Sequence, residues 1–331
     1  MPDGWDPLDF FLMGESMTWV ELRRGGWGYS RSIAWGQYVR VFFDGRSGMG
    51  VHVEVSGQGC RELEGAGVVG SWSEFLEGML ALGGKVTRLD VAVDDKPTPP
   101  GSGPSMRSGE RENGCSSEST VWPGGGQLDL DVMISASRAR ELTCRARTVR
   151  YQESWQLGEP VIGRTLYFGS AASEKQVRVY DKAAEQFAKG KVEGQDLGHW
   201  VRLELECRSA TAQALAVELV NRGGDMSVVA GVLRSFLEFK QDEGRDGSRS
   251  RWSIAPWWEA FLGGVAKLRL AMQPSERTIE QVLDWVRRQV APSLALLTLA
   301  NGGAVDWLHA MIGKGRDRLT ARHLMLLGAS G

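Results

Sequence analysis

The sequence predicts an α+β fold, an antiparallel-rich sheet covered by helices and followed by a small helical appendage. Two patterns carry that prediction. Period-two alternation, the mark of half-buried strands, recurs over 38–43, 51–55, 85–95, 164–168, 176–181 and 200–208. Stretches with apolar residues at helical spacing lie between them, joined mostly by short loops. In 51–55, Val51, Val53 and Val55 oppose His52 and Glu54. In 72–82, Phe75, Leu76, Met79 and Leu80 share one helical face. Ser209 is placed to cap a helix over 210–220, with Gly223 and Gly224 as its stop, and 227–240 reads as a further helix. The strand-rich blocks 28–95 and 164–208, each with a helix nearby, suggest a pseudo-duplicated sheet.

Two polar stretches divide the chain. The run KPTPPGSGPSMRSGERENGCSSES within 96–127 cannot bury enough surface to order itself and reads as a flexible insertion. QDEGRDGSRSRWS at 241–253 reads as an exposed linker. The expected organisation is therefore a main domain over 1–240, the linker, and a helical C-terminal domain over 254–331. Its helices are expected at 257–270, 277–290, 304–312 and 320–327.

Of 331 residues, 42% are hydrophobic and 24% charged, values of an ordinary globular protein with a core of its own. Lysine and arginine number 39 against 41 acids, a net charge of −2, so a polyanionic partner would need a local basic patch. The cysteines Cys60, Cys115, Cys144 and Cys207 are scattered without a CxxC pair. They read as reduced thiols rather than a disulfide frame or zinc site. The acidic start MPDGWDPLDFFLMG lacks a signal peptide's basic region, and the apolar run 291–300 is too short to span a bilayer. The expected setting is cytoplasmic, with no membrane partner.

Three clusters can carry chemistry. On a strand, VTRLDVAVDD (86–95) points Leu89, Val91 and Val93 one way and Arg88, Asp90, Ala92 and Asp94 the other. Asp90 and Asp94, with only an alanine between them on that face, offer oxygen ligands of the kind Mg²⁺ or Mn²⁺ prefers; the solvated face of an edge strand would look the same. HWVRLELECR (199–208) likewise sets Arg202, Glu204, Glu206 and Arg208 opposite an apolar row, which cross-strand charge pairing would also explain. Two such strands side by side would gather mutually repelling carboxylates unless a cation sat among them. In KQVRVYDK (175–182), Arg178, Tyr180 and Lys182 share a face. A phenol between two cations is a reasonable nucleophile, since neighbouring charge or a metal favours phenolate, although a lone strand tyrosine more often serves packing. Five tyrosines are present, Tyr29, Tyr38, Tyr151, Tyr167 and Tyr180, and the spacing alone does not choose among them.

RLDVAVDD, GRTLYFGS, VRVYDKAAEQ and WVRLELECR, in that order, resemble the replication initiation factor (Rep trans) family of rolling-circle initiators and related relaxases. VHVEVSGQGCRELE and the tail through GRDRLTARH add to the likeness, which covers most of the chain except the insertion. The resemblance implies a metal-dependent transesterase whose tyrosine becomes joined to a 5′-phosphate. It places Tyr180 at the nucleophile position, Asp90, Asp94, Glu204 and Glu206 at the acidic metal site, and Lys182 and Arg202 at basic positions beside it, with Glu204 and Glu206 alternatives for one ligand. No two of the four histidines are separated by a single residue, so a His-hydrophobic-His metal pair is absent and the expected ion is Mg²⁺ or Mn²⁺.

Contacts to DNA have weaker signals. The segment 131–151 reads as a basic helix carrying Arg145 and Arg147, and Arg178 stands beside the tyrosine. Arg316, Arg318 and Arg322 form a candidate phosphate clamp. Trp122, Trp155, Trp200, Trp252, Trp257 and Trp258 are candidate stacking platforms. No GxxxxGK[ST] is present, so a host helicase and polymerase are implied partners of a protein acting on single-stranded and duplex origin DNA. The alternatives are a relaxase nicking a transfer origin, a metal-dependent phosphodiesterase without a covalent intermediate, and a non-catalytic DNA-binding regulator on the same scaffold.

Overall fold

The computed structural model describes residues 18–96, 128–155, 161–188, 198–242, 247–270 and 286–319, with isolated positions between some of these ranges. The chain divides into two compact units, Met1–Met272 and Gln273–Gly331.

The first unit opens with a four-stranded antiparallel sheet of β1 (Val20–Glu21), β2 (Arg31–Trp35), β3 (Val39–Phe43) and β4 (His52–Val55), in that spatial order. Alternation decides its inner face: Val39 and Val41 turn inward and pack with Leu63 and Val69, supported by Trp72, Phe75 and Met79. These come from α1 (Gly57–Gly65) and α2 (Trp72–Ala81). Ser56 and Ser71 cap the two helices, each hydroxyl accepting from the backbone N–H three residues on.

The second sheet has the order β5-β10-β9-β8-β7, all antiparallel. Its strands are β5 (Arg88–Asp95), β7 (Val149–Trp155), β8 (Val161–Phe168), β9 (Lys175–Asp181) and the central β10 (Val201–Arg208). Its apolar face is nearly dry: Leu203, Leu205, Cys207, Val177, Val179 and Phe168 are fully buried. Covering it are α3 (Leu130–Ala139), α5 (Ser209–Asn221) and α6 (Ser227–Phe236), whose buried residues join the same cluster. Each such aliphatic side chain contributes about 1.5–3 kcal/mol by leaving water. A short helix, α4 (Lys182–Ala188), follows β9 directly. The predicted α+β class holds, and so does each of the strands read from period-two alternation, to within a few residues.

The two-block duplication does not hold. Strand β5, the last of the first block, is the edge of the second sheet rather than part of the first. The helix expected over 227–240 stops at Phe236, where the chain extends into β11 (Leu237–Gln241) and pairs with β6 (Leu142–Cys144). Cross-strand pairing there overrides helical spacing. Ser209 begins α5 but does not cap it; Arg208 holds the cap position without a side-chain bond.

The largest departure concerns 241–253. This segment turns back so that β12 (Ser253–Ile254) pairs with β11, through Lys240 opposite Ile254 and Gln241 opposite Ser253. Helix α7 (Pro256–Leu262) then buries Trp258, Phe261 and Leu262 in the core of the second sheet, with Trp258 ring to ring against Phe239 at 5.2 Å. The polar run is thus a surface return, and the apolar residues behind it decide the unit to which it belongs. The helix expected over 257–270 ends at Leu262 because Gly263, at φ 64°, takes the left-handed turn that stops it.

In the second unit, α8 (Ala291–Ala300) and α9 (Asp306–Arg316) are described, α8 following one π-type turn at Val286–Val290. The helix expected over 320–327, and residues 97–127 of the expected insertion, lie outside the described residues. Among the described residues the cysteines are free and no helix is long and apolar enough to cross a membrane.

A chain cut after residue 240 loses Trp258, Phe261 and Leu262 from its core. Removal of one buried aromatic costs about 3–5 kcal/mol, so this truncation is expected to lose cooperative thermal unfolding. A chain cut after residue 272 is expected to keep it. Calorimetry of the two truncations checks this, and a cooperative transition in the shorter one would show that α7 is dispensable.

Candidate active site

Antiparallel pairing places directly opposed residues on the same face of the sheet. The register of β10 with its neighbours therefore writes out the site row by row. Arg202 stands between Asp94 and Tyr180, and Thr165 of β8 continues that row beyond Tyr180. On the next row Glu204 stands between Ala92 and Arg178, with Tyr167 beyond. On the third, Glu206 stands between Asp90 and Gln176. The apolar alternates of the same strands fill the core; on the polar face Glu204, Glu206 and Gln176 are themselves buried among their neighbours.

Tyr180 donates its hydroxyl proton to Glu204 Oε1 at 2.7 Å. The other oxygen of Glu204 accepts from the guanidinium of Arg178. Glu204 is buried, and Tyr180 is partly exposed. Arg202 forks onto Asp94, its Nε 2.6 Å from Oδ1, and Trp200 Nε1 donates to that same oxygen at 2.8 Å. Arg88 Nη2 bridges Asp90 at 2.7 Å and Glu206 at 2.8 Å, and Arg208 pairs with the other oxygen of Glu206. Lys182 opens α4 rather than continuing the strand. Its buried ammonium lies 5.5 Å from the Tyr180 ring centroid and is bonded to Glu185.

The electrostatics of the phenol run opposite to the expectation from its cationic neighbours. Burial, and then the hydrogen bond to Glu204, raise the Tyr180 pKa well above 10, outweighing the lowering influence of Arg202. The ground-state tyrosine is a phenol whose proton points at a carboxylate. Asp94 shows the reverse balance. Burial alone would raise it, but the Arg202 fork and the Trp200 indole hold it below the usual carboxylate range.

The acids do not form a single four-carboxylate cage. Asp90 and Asp94 are four residues apart on one strand, about 13 Å between Cα atoms, whereas two oxygens on one Mg²⁺ at 2.0–2.1 Å lie within about 4.2 Å of each other. Among the described residues no three acid, histidine or cysteine side chains converge on a common point. Each acid is paired with at least one arginine, Arg88 being shared by Asp90 and Glu206. Asp94 and Glu204 are a different matter. They are diagonal neighbours across Ala92, Glu204 bonded to Tyr180 and Asp94 separated from it by Arg202, and offer hard oxygens of the type Mg²⁺ or Mn²⁺ takes.

A groove of about 320 Å³ runs from Tyr180 across β8 and is lined by Arg164, Thr165, Tyr167, Arg178, Asp181 and Glu185 among others. Tyr167 carries the guanidinium of Arg150 over its ring at 4.4 Å. A larger concavity of about 410 Å³ lies along α3 and contains none of these site residues.

Several sequence-predicted DNA contacts lie elsewhere. The expected basic helix over 131–151 ends at Ala139, where Arg140 adopts φ 61°, and the chain passes through β6 into β7. Arg145 and Arg147 are exposed in that connection, at the end of the sheet away from Tyr180. Trp258 is fully buried and Trp257 packs against the core, so neither is a platform. Arg316 and Arg318 are exposed in the second unit, and Arg322 lies outside the described residues. Sequence reading did not identify Arg88 and Arg208 as partners of Glu206, or the indole of Trp200 as a donor to Asp94. The alternating sign of both strands was the available signal for the former.

The raised phenol pKa has a measurable sign. A tyrosine held above its ordinary value of 10 contributes stability fully below pH 10 and loses it as pH climbs through the folded value. In an ultraviolet phenolate titration, Tyr180→Phe should remove a late-ionising phenol. Glu204→Gln should bring that phenol partway down, since burial remains. An unchanged titration in Glu204→Gln would show that the carboxylate does not hold the proton.

Comparison with known proteins identifies the family. The "Putative DNA relaxase NicK" of Bacillus subtilis (strain 168) is 26% identical over 287 residues, covering 85% of this chain and 73% of that protein. The solved structure of the rolling circle replication initiator protein from Geobacillus stearothermophilus superposes with a TM-score of 0.60 at 28% identity, covering 81% of this chain and 89% of that one. The replication initiation factor family profile matches residues 84–312, from the edge strand of the second sheet into the second unit. The chain belongs to the replication initiation factor family.

Proposed function

We propose that this chain is a rolling-circle replication initiator that nicks and rejoins single-stranded origin DNA through Tyr180. The observation that carries the reading is the hydrogen bond from the Tyr180 hydroxyl to buried Glu204, flanked by Arg178 and Arg202. In the forward step the phenol oxygen bonds to phosphorus and the bond from phosphorus to the 3′-oxygen breaks. The phenol proton passes to Glu204 Oε1, and the departing 3′-oxygen takes a proton to become a free 3′-OH. The product is a 5′-phosphotyrosine. It keeps an ester bond of similar energy, so the same atoms run in reverse when the strand is closed.

Arg178 and Arg202 supply positive charge where the phosphoryl oxygens gain negative charge, provided the phosphate draws them partly from Glu204 and Asp94. Lys182, bonded to Glu185 beneath the ring, positions the phenol from below. Asp94 and Glu204 are the acids that would hold Mg²⁺ or Mn²⁺, which when bound would polarise the scissile phosphate. Asp90 and Glu206 serve instead to fix Arg88 and Arg208. The free 3′-OH suits a host polymerase, and strand separation falls to a host helicase. The relative named as a DNA relaxase supports a second reading with the same chemistry, nicking at a transfer origin. In either case the reaction belongs in the cytoplasm, where the DNA is.

Tyr180→Phe should keep the fold and DNA binding and lose the covalent adduct on a denaturing gel, while Tyr167→Phe and Tyr151→Phe keep it. Arg202→Ala should slow adduct formation by about 10²–10³-fold, the usual cost of removing one charge-stabilising donor. Excess EDTA should stop the reaction. An adduct that persists in Tyr180→Phe protein would reassign the nucleophile, and full activity in EDTA would remove the ion.

Arg316 closes α9 and Arg318 lies just beyond it. We assign these two, with Arg322, to the duplex beside the nick. Replacing all three with alanine should reduce the slope of log affinity against log salt by about 0.9 for each phosphate no longer neutralised. An unchanged slope would mean that these arginines are solvated helix ends.

A further inference from the structure

The N-terminal sheet carries a surface that the nicking reaction does not use and that lies outside matched residues 84–312. Its inner face is the small core with α1 and α2. On its outer face, Phe42 stands between Ser32 and His52, and Arg40 stands between Ala34 and Glu54 on the next row. Residues 24–30 fold over this face. The Ser32 hydroxyl donates to the carbonyl of Arg24 at 2.8 Å, and the Tyr29 hydroxyl donates to the carbonyl of Met49 at 3.1 Å. Four rings meet there. His52 lies 5.8 Å from Phe42, 6.3 Å from Tyr29 with planes 17° apart, and 6.3 Å from Trp27.

Trp27 is the outermost of the four. It is 72% exposed, and its backbone sits at φ 56°, in the left-handed region that a bulky residue rarely adopts. Gly28 follows at φ 91°. Folding gains little from a large ring held in water on a strained turn, and such strain concentrates where a surface has work to do. Arg40 stands on the row beside Phe42, and Arg24 and Arg46 belong to the segments whose backbones are tied to this face, Arg24 through Ser32 and Arg46 through Met49. All three are exposed, and none forms an ion pair among the described residues. Arg31, by contrast, is tied to Glu21 and Asp44.

We infer that this outer face binds single-stranded DNA. Trp27 is the platform on which an unpaired base stacks, and Arg24, Arg40 and Arg46 contact the phosphates. The ligand follows from the combination. One exposed indole on a face that also carries three exposed arginines is too small an apolar area for a protein partner of ordinary size, whereas single strands are held by aromatic stacking together with cations along the backbone. In duplex DNA the base faces are hidden, so the platform selects the unpaired strand. The inference does not depend on the role of Tyr180.

The test uses the full chain in EDTA, with fluorescence anisotropy on an oligo-dT of roughly 30 nucleotides, longer than one such surface covers, and on a duplex of equal length. Trp27→Gly suits the left-handed backbone and should leave the melting temperature unchanged or higher. It should weaken oligo-dT binding by about 5- to 100-fold, the range expected for one stacked base, while duplex binding stays the same. Trp27→Phe should restore most of the affinity. Replacing Arg24, Arg40 and Arg46 with alanine should lower the single-strand salt slope by about 0.7 for each phosphate no longer neutralised. In the unmodified protein, irradiation of a bromouridine oligonucleotide should crosslink the peptide containing Trp27. Undiminished oligo-dT binding by Trp27→Gly, an equal loss toward duplex, or crosslinks confined to the second sheet would overturn the inference. Adduct formation on a short oligonucleotide, scored separately, bears on the nicking reading alone.

Discussion

The pairing of β10 with a strand on each side is the constraint from which the rest of the site follows. Every polar group near Tyr180 occupies its place because Arg202, Glu204 and Glu206 face β5 on one edge and β9 on the other in a single register. A slip of one residue on either edge would turn those side chains into the core and bring Leu203 and Leu205 to the surface. The dry apolar face under α3, α5 and α6 forbids that slip. Stability and placement of the reacting groups therefore have the same origin, and the site rests on strands rather than loops.

The face also shows how closely packed acids coexist on one sheet. Crowded carboxylates are normally relieved by protonation or by a cation. Here arginines on the same face do that work, Arg178 for Glu204 and Arg202 for Asp94 on their own rows, Arg88 and Arg208 for Glu206 from the row beside it. Acids and bases interleave on this face, consistent with a chain whose total charge is close to zero. A phosphate entering such a surface meets no excess of positive charge; it must compete for guanidinium groups already engaged.

Much of this was legible in the sequence because strand alternation is a local property. Asp90, Asp94, Tyr180, Arg202 and Glu204 could be assigned to one polar face from period two alone, and the structure brings those strands together. What the sequence hid was non-local. Nothing in the spacing of Asp90 and Asp94 separates a shared ion from separate arginine partners, since the answer depends on which oxygens Arg88, on the same strand, and Arg202, across the pairing, reach. The fate of Leu237–Gln241 was decided by β6, nearly a hundred residues earlier in the chain. Residues 241–253 read as a linker by composition, and only the burial of Trp258 and Phe261 beyond them reveals a return into the same unit.

The order β5-β10-β9-β8-β7 leaves β5 and β7 as the outer strands of the second sheet. Outer strands expose unpaired backbone groups and invite the edges of other molecules to add to them, which natural sheets resist by placing charge there. Strand β5 carries Arg88, Asp90 and Asp94, and β7 carries Arg150 and Glu153, mostly exposed. On β5 the residues that build the reacting face are thus also gatekeepers. Replacing them with neutral apolar groups would remove chemistry and at the same time open the sheet to growth by strand addition, so a poorly soluble variant at these positions reports on colloidal protection as much as on folding.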